Sequence, residues 1–389
     1  LPSRRNRGHN RTLRGSARRS SAKAHRTTHS LHREGIAVLV HQFQPRPPRQ
    51  LPLWRFPASL RDCARRSVSL QWLPHSAMSS TNTRKKRQRP HSSYHPLYWP
   101  TWVGLGLFRL LALFPYRWQL AFGRQCGRLL HGLLTKRRDI VRVNLAVCFP
   151  RQEPVERNQV ALHCFESMGM GVLEIAMAWW AKDPRTYCEC TIKGLEHIRE
   201  ALRQGRGVLL CGAHLHAAEL AGRFMALEQP VAIVYRPQND VVAETVANRC
   251  RSRYYSELIQ HRDMRGILRA LARNQVVWYA PDIDAGSKRS VFAPFFGVQA
   301  ASLTATSRLA KVSGAAVVPC FYYRRADGSG YDIEVGPALE HFPSGEMVED
   351  ATRINRLIEG AVRRVPEQYF WQHRRFKSRP PGEPPIYRR

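Results

Sequence analysis

Paired cysteines are missing from this sequence. Its nine cysteines include no C-x-x-C, and the two closest, Cys188 and Cys190, stand one residue apart, a spacing poorly suited to a structural zinc site. Zinc modules and a secreted disulfide scaffold are thereby excluded, and a reducing, cytosolic setting is expected. Acid is scarce as well: 29 Asp and Glu face 62 Lys and Arg, a formal charge of +33. Such an excess calls for a polyanionic or membrane-surface partner, and nucleic acid, anionic lipid and acidic carrier proteins all meet that description. No Walker A sequence and no dinucleotide fingerprint with the right flanks occurs. Helix-turn-helix, zinc and RNA-binding aromatic motifs are absent too, which argues against nucleic acid. Apolar material is plentiful, however. At 389 residues and 43% hydrophobic, the chain can bury one large core or two smaller ones.

The charge is unevenly spread. Residues 1–77 hold 16 Lys and Arg against Glu34 and Asp62, or +14 of the total. Rich in Arg, Ser, Pro and His, with one short apolar run from Gly35 to Val40, they cannot bury enough surface to offset their ordering entropy. The first methionine is Met78, and the chain proper is expected to begin there; a functional basic arm is the alternative. From Met78 the balance is still +19. Residues 78–97 form a basic leader, and 98–134 an apolar membrane-anchor helical region. Its segment Tyr98 to Phe114 is about 17 residues long, the lower limit for crossing a bilayer, and carries Pro100 and Arg109. Tyr and Trp at one end suit the headgroup level, and cations flank both ends, so a helix in or on the cytoplasmic face is expected. A buried core helix is the alternative.

Residues 135–378 read as one α/β domain, followed by a Pro-rich tail over 379–389. Helices are predicted over 153–180, 196–203, 217–227, 242–253, 264–272, 303–312 and 350–365. Between them lie β-rich runs at 207–211, 231–235, 276–280, 316–323 and 331–335. Short buried strands alternating with helices predict a largely parallel sheet flanked by helices.

Candidate chemistry sits at the strand ends, where open α/β sheets place their ligands. The run Gly207 to Glu219 reads as strand, small-residue turn and helix, with His214 in the turn and Glu219 in the first helical turns. A carboxylate on one imidazole nitrogen fixes the tautomer and supports the cation formed when the other takes a proton. Spacing alone is weak, since about one such His-acid pair is expected by chance. His29 with Glu34 and His341 with Glu346 share it without the strand context. Arg236, after the second strand, suits a phosphate or a developing oxyanion, or else a surface pair with Asp240. Asp282 and Asp284 follow the third strand and suit a turn better than a metal. Arg262, Arg265, Arg269 and Arg273 recur at helical offsets, with Lys288, Arg289 and the run His373 to Lys377 beyond them. Such charges are a solvated face or a dock for an acidic carrier or phosphorylated headgroups. The run Val291 to Val298 and Trp179, Trp180, Tyr279 and Phe370 are candidates to line an apolar groove.

From Met78 onward the chain resembles the late acyltransferases of lipid A biosynthesis, most closely the lauroyl type. The resemblance rests on HPLYWPTW (95–102), RVNLAVCFP (142–150), FESMGMGVLEIAMAWW (165–180), HLHAAE (214–219), VYRPQND (234–240), VVWYAPDIDAG (276–286), SVFAPFFGV (290–298), SGAAVVP (313–319) and PEQYFWQHRRFKSRP (366–380), in order. It implies a glycerolphosphate-acyltransferase-like fold with an N-terminal membrane-anchoring helix, at the cytoplasmic face of a bacterial inner membrane. It also implies transfer of an acyl chain from acyl carrier protein to a hydroxyl of a 3-hydroxyacyl chain on the Kdo-bearing lipid A precursor. A myristoyl- or palmitoleoyl-transferring relative is the alternative. The family's His-x(4)-acid motif falls on His214 and Glu219 as catalytic pair, and its strand-exit arginine on Arg236. Asp282, Asp284, Arg374, Arg375 and Lys377 are the further substrate-binding candidates, and no metal or other cofactor is implied. Ala285 and His216 depart from the family's usual residues, an aromatic at the first and a hydroxyl or apolar residue at the second, which touches acceptor fit and acyl length.

Overall fold

Four largely apolar runs set the centre of the protein, because strands buried on both faces need no alternation. They are β2 (Val208–Cys211), β3 (Val231–Tyr235), β5 (Val276–Tyr279) and β8 (Ala316–Arg324). The structure is a computed structural model that describes residues 93–387; the segment 1–77 and most of the 78–97 leader lie outside the described residues. Three further strands complete a seven-stranded sheet: β1 (Glu189–Lys193), β4 (Glu257–Gln260) and β9 (Gly330–Val335), in the order β1-β9-β8-β2-β5-β3-β4. Every neighbouring pair is parallel except β8 with β9. The expected parallel sheet is therefore present. β1 and β4 escape sequence reading because they are edge strands, four or five residues long, with polar residues at alternate positions in β1 and at both ends of β4.

The helices are α1 (Trp99–Leu111), α2 (Tyr116–Leu133), α3 (Thr135–Cys148), α4 (Pro154–Trp180), α5 (Leu195–Arg203), α6 (Ala218–Glu228), α7 (Val241–Arg251), α8 (Met264–Ala272), α9 (Ala305–Ser313) and α10 (Met347–Arg364). Among the described residues α4 is the one helix long and apolar enough to cross a membrane, yet 67% of its apolar window is buried. It is a core helix. A reciprocal capping box between Glu153 and Glu156 starts it. Inside, Glu174 holds Arg324 at 2.5 and 2.8 Å and accepts from Tyr331 at 2.6 Å, so a buried charge pair joins α4 to the sheet. Against α4 lies α2, so close that a Cβ on Gly127 would stand 2.2 Å from the Phe165 carbonyl oxygen.

One expectation is refined and another corrected. The region 98–114, expected to be a helix in or on a membrane face, forms α1 of 13 residues, about 20 Å at 1.5 Å per residue and short of the hydrocarbon core of a bilayer. Leu113 and Phe114 close it and Pro115 opens α2. The apolar run Val291 to Val298 is not a groove wall. It belongs to a hairpin of β6 (Ser290–Phe295) and β7 (Val298–Leu303), turned by Phe296 and Gly297, both at positive φ (52° and 78°). Phe295 and Phe296 are buried there, within 6.2 Å of Trp371 or Phe376 ring centres.

Candidate active site

Parallel strands deliver their carboxyl ends to one edge of the sheet, and β2 and β5 are neighbours. His214 leaves β2 through the small turn Gly212–Ala213, and Asp282 leaves β5 through Ala280 and Pro281. Asp282 Oδ1 lies 2.5 Å from His214 Nδ1, and its Oδ2 accepts the His214 backbone N–H at 2.8 Å. Asp282 is buried, whereas the His214 side chain keeps 38% of its surface open. Burial alone would lower the imidazole pKa, but the charge and hydrogen bond of Asp282 outweigh it and hold His214 above its ordinary value. Burial likewise opposes ionisation of Asp282; His214 reverses this and holds the carboxyl down at about 2. Such a pair leaves Nε2 free to exchange a proton.

The turn is clamped from two sides. Tyr322 donates its hydroxyl to the Ala213 carbonyl at 2.7 Å. A C-terminal strap then runs over it. Phe370 N–H donates to the His214 carbonyl at 3.0 Å and His216 N–H to the Gln368 carbonyl at 2.9 Å. Leu215 and Tyr369 pair as an isolated bridge. The same strap grips the β5 exit, where His373 Nε2 accepts the Asp284 N–H at 3.0 Å. Burial keeps His373 neutral by lowering its pKa to about 4.

Glu219 does not touch His214 through a hydrogen bond. From the first turn of α6 its carboxylate faces α4 and α7. Oε1 accepts from Trp179 Nε1 (3.0 Å), Arg251 Nε (2.8 Å) and the Tyr254 hydroxyl (2.9 Å), and Oε2 from the second Arg251 nitrogen (2.5 Å). Burial would raise its pKa; Arg251, with Trp179 and Tyr254, turns the balance downward and keeps it ionised. The expectation that Glu219 orients His214 is corrected: that position belongs to Asp282.

His214, Glu219, Arg236, Arg251 and Trp278 nevertheless share one cavity of about 350 Å³. Its polar groups gather at His214, Glu219, Arg236, Gln238 and Arg251. Leu210, Met225, Val231, Ile233, Cys320 and Ile333 supply apolar lining. That mixture and size suit a small-molecule or acyl-chain site. Cys320 is no nucleophile here, since burial pushes its thiol up to about 12. Arg236 is exposed at the cavity wall and makes no pair with Asp240, which instead caps α7 through the Val242 and Ala243 N–H groups.

Other predicted site residues serve the fold. Asp284 is occupied by Gly286 N–H (2.8 Å) and by the Ser378 N–H (2.6 Å) and hydroxyl (3.0 Å). Arg375 is 1% exposed and spends its nitrogens on the Ala301 carbonyl (2.7 Å), Ser302 (3.2 Å) and Asn355 (3.3 Å), so it cannot reach substrate. Arg374 lies over the Tyr387 ring, and neither it nor the exposed Lys377 lines the cavity. Sequence reasoning missed Arg251 and Tyr254, which carried no signal beyond their place at the end of a predicted helix.

Comparison with known proteins identifies the family of the chain. The family model for bacterial lipid A biosynthesis acyltransferases matches residues 86–378. A lipid A biosynthesis palmitoleoyltransferase of Escherichia coli (strain K12) is 40% identical over 294 residues, 75% of this chain and 96% of the relative. The lauroyltransferase of the same organism is 39% identical with the same coverage. Its myristoyltransferase is 29% identical over 301 residues, 76% and 92% of the two chains. With that coverage, the chain belongs to the bacterial lipid A biosynthesis acyltransferases.

Proposed function

We propose that this chain moves a fatty acyl group, lauroyl in the first instance, from the thioester of an acyl carrier protein to a hydroxyl of a 3-hydroxyacyl chain on the lipid A precursor. The observation that carries the reading is one cavity with the His214–Asp282 pair on its wall and apolar side chains beside it. With Asp282 holding Nδ1–H, His214 Nε2 takes the proton of the acceptor hydroxyl. The oxygen attacks the thioester carbonyl and a tetrahedral oxyanion forms, which Arg236 steadies. As the intermediate collapses, the C–S bond breaks and the thiolate takes the proton from the imidazolium. An ester and a free thiol result, with no acyl-enzyme. Glu219 acts by fixing Arg251 in the cavity wall.

The acceptor and the site meet at a membrane in this reading. Trp99, Val103, Leu107 and Leu110 of α1, and Trp118, Phe122, Leu129 and Leu133 of α2, are each more than half exposed. An apolar surface of that extent calls for a cover. Aromatic residues with Arg109, Arg117 and Arg124 beside them suit the cytoplasmic face of the inner membrane, where the helices lie in the interface. On the inner side Phe108 packs edge-on against Trp179 and Trp180. Trp179 in turn donates to Glu219, so the helix that bears the membrane face and the cavity are linked through one residue.

The test is a transfer assay with purified lipid A precursor and carrier-protein thioesters bearing lauroyl, myristoyl and palmitoleoyl chains. Lauroyl is expected to be the best donor, and His214→Ala to abolish transfer of all three. A fully active His214→Ala enzyme sinks the mechanism. A clear palmitoleoyl preference reassigns the donor and leaves the chemistry standing.

A further inference from the structure

The edge of the sheet that carries His214 also carries a set of unpaired cations. Arg236 follows β3, and His261 and Arg262 follow β4; the His261 N–H donates to the Tyr235 carbonyl at 2.8 Å, which ties the two exits together. Lys288 and Arg289 come from the short turn Ser287–Arg289 beyond β5. Arg262, Arg236 and Arg289, from three separate loops, all bear on the His261 imidazole and, after burial, lower its pKa. All are exposed. The nearby acids are already engaged. Asp240 caps α7 and accepts from Thr101 at 3.0 Å. Asp263 caps α8 through the Gly266 N–H at 2.8 Å and faces Arg269 at 3.6 Å. Arg273, read from sequence as part of the same charged face, pairs with Glu257 at 2.5 Å. Among the described residues Arg236, Arg262, Lys288 and Arg289 have no carboxylate partner.

A membrane would also attract such a patch. The exposed aromatic residues are Tyr94, Trp99, Trp102, Phe114, Trp118, Phe122 and Phe370; α1, which carries two of them, approaches the rim at Asp240 through Thr101, but none belongs to the loops at 236–240, 261–263 and 287–289 that carry the cations. A basic surface without interfacial aromatics suits a soluble acidic protein better than lipid. Because Arg236 lines the cavity of His214, a partner seated on this patch stands at the entrance used by the reaction.

We propose that Arg262, Lys288 and Arg289, continuing outward from Arg236, form the docking surface on which the acidic carrier protein places its thioester for His214. This rests on the carrier-protein donor proposed above. The test compares Arg262→Glu/Arg289→Glu and the milder Arg262→Gln/Lys288→Gln/Arg289→Gln with wild type. Each is assayed with a lauroyl carrier-protein thioester and with lauroyl-pantetheine, which has the thioester but no protein. Charge reversal is expected to raise KM for the carrier-protein donor about tenfold or more at low salt, with the gap narrowing as salt rises. The neutral triple variant is expected to show a smaller rise, and kcat/KM for lauroyl-pantetheine is expected to stay within about twofold. An unchanged KM for the carrier-protein donor overturns the proposal. So does an equal loss with both donors, a rise confined to KM for the acceptor, or a loss only of binding to anionic vesicles. If wild type uses lauroyl-pantetheine but no carrier-protein thioester, the donor reading itself fails, and the docking surface with it.

Discussion

Replacing Asp282 by Asn separates the two carboxylates that compete for a role beside His214. Asp282 is 1% exposed and accepts both the backbone N–H and Nδ1–H of His214. Asn preserves the shape and one acceptor oxygen, but it removes the charge that supports the imidazolium. If its amide nitrogen turns toward Nδ1, it also imposes the tautomer that cannot take a proton at Nε2. In a serine-protease triad the same change lowers turnover about 10⁴-fold, and a fall of about 10³–10⁴ in kcat, or roughly 4–5.5 kcal/mol, is expected here. The assay is kcat against pH with the carrier-protein thioester. In wild type the base must be neutral, so activity rises as pH climbs through the His214 pKa, which lies above the ordinary 6.5 because Asp282 outweighs burial. Without that charge, burial of the imidazole acts unopposed, and the rise of the residual activity shifts below 6.5. Stability moves with the same pair. The raised His214 contributes fully below pH 6.5 and loses its contribution as pH rises through its folded pKa. Asp282 contributes above its ordinary 3.8 and loses this as pH falls through about 2. An Asp282→Asn enzyme within tenfold of wild type and with an unmoved pH limb refutes the assignment, above all if Glu219→Gln is then the variant that loses its base.

Two other substitutions test the surroundings. Arg251→Ala leaves the Glu219 carboxylate, 10% exposed in its side chain, without its cation; a loss of about 3–5 kcal/mol is expected, read as a fall in melting temperature. Wild-type stability in that variant counts against the wall-fixing role of Glu219. Gly127→Ala drives a Cβ to 2.2 Å from the Phe165 carbonyl oxygen, so α2 must move off α4, and stability is expected to fall by at least about 2 kcal/mol in chemical denaturation.

The sheet was legible because each central strand is a short apolar run bounded by turn residues, and such runs admit few alternatives. The β6–β7 hairpin was not. Its turn uses Phe296 where Asn or Gly is the usual signal, and Phe296 holds its positive φ (52°) among Phe149, Phe295 and Trp371. The 98–114 segment was ambiguous for a related reason. Composition reports that a face is apolar, but not what covers it, and α1 is covered by protein on one side only: Phe108 packs inward while Trp99, Val103 and Leu107 face out.

At the site, His214 was legible and its hydrogen-bond partner was not. His214 stood out because a buried strand, a small-residue turn and a helix surround it in consecutive residues. Asp282 is 68 positions away, and its proximity follows from β5 being the neighbour of β2, a strand order that no local pattern encodes. Glu219 drew the eye because it is near in sequence. On a helix, however, five residues from the turn is enough to rotate a side chain toward α4 and α7, where Arg251, Tyr254 and Trp179 take up both its oxygens. Sequence spacing therefore reported that both residues belong to one cavity and misreported which bonds join them. The two carboxylates differ by environment. Asp282 is buried against an imidazole, and Glu219 is buried against a guanidinium in the wall of the same cavity.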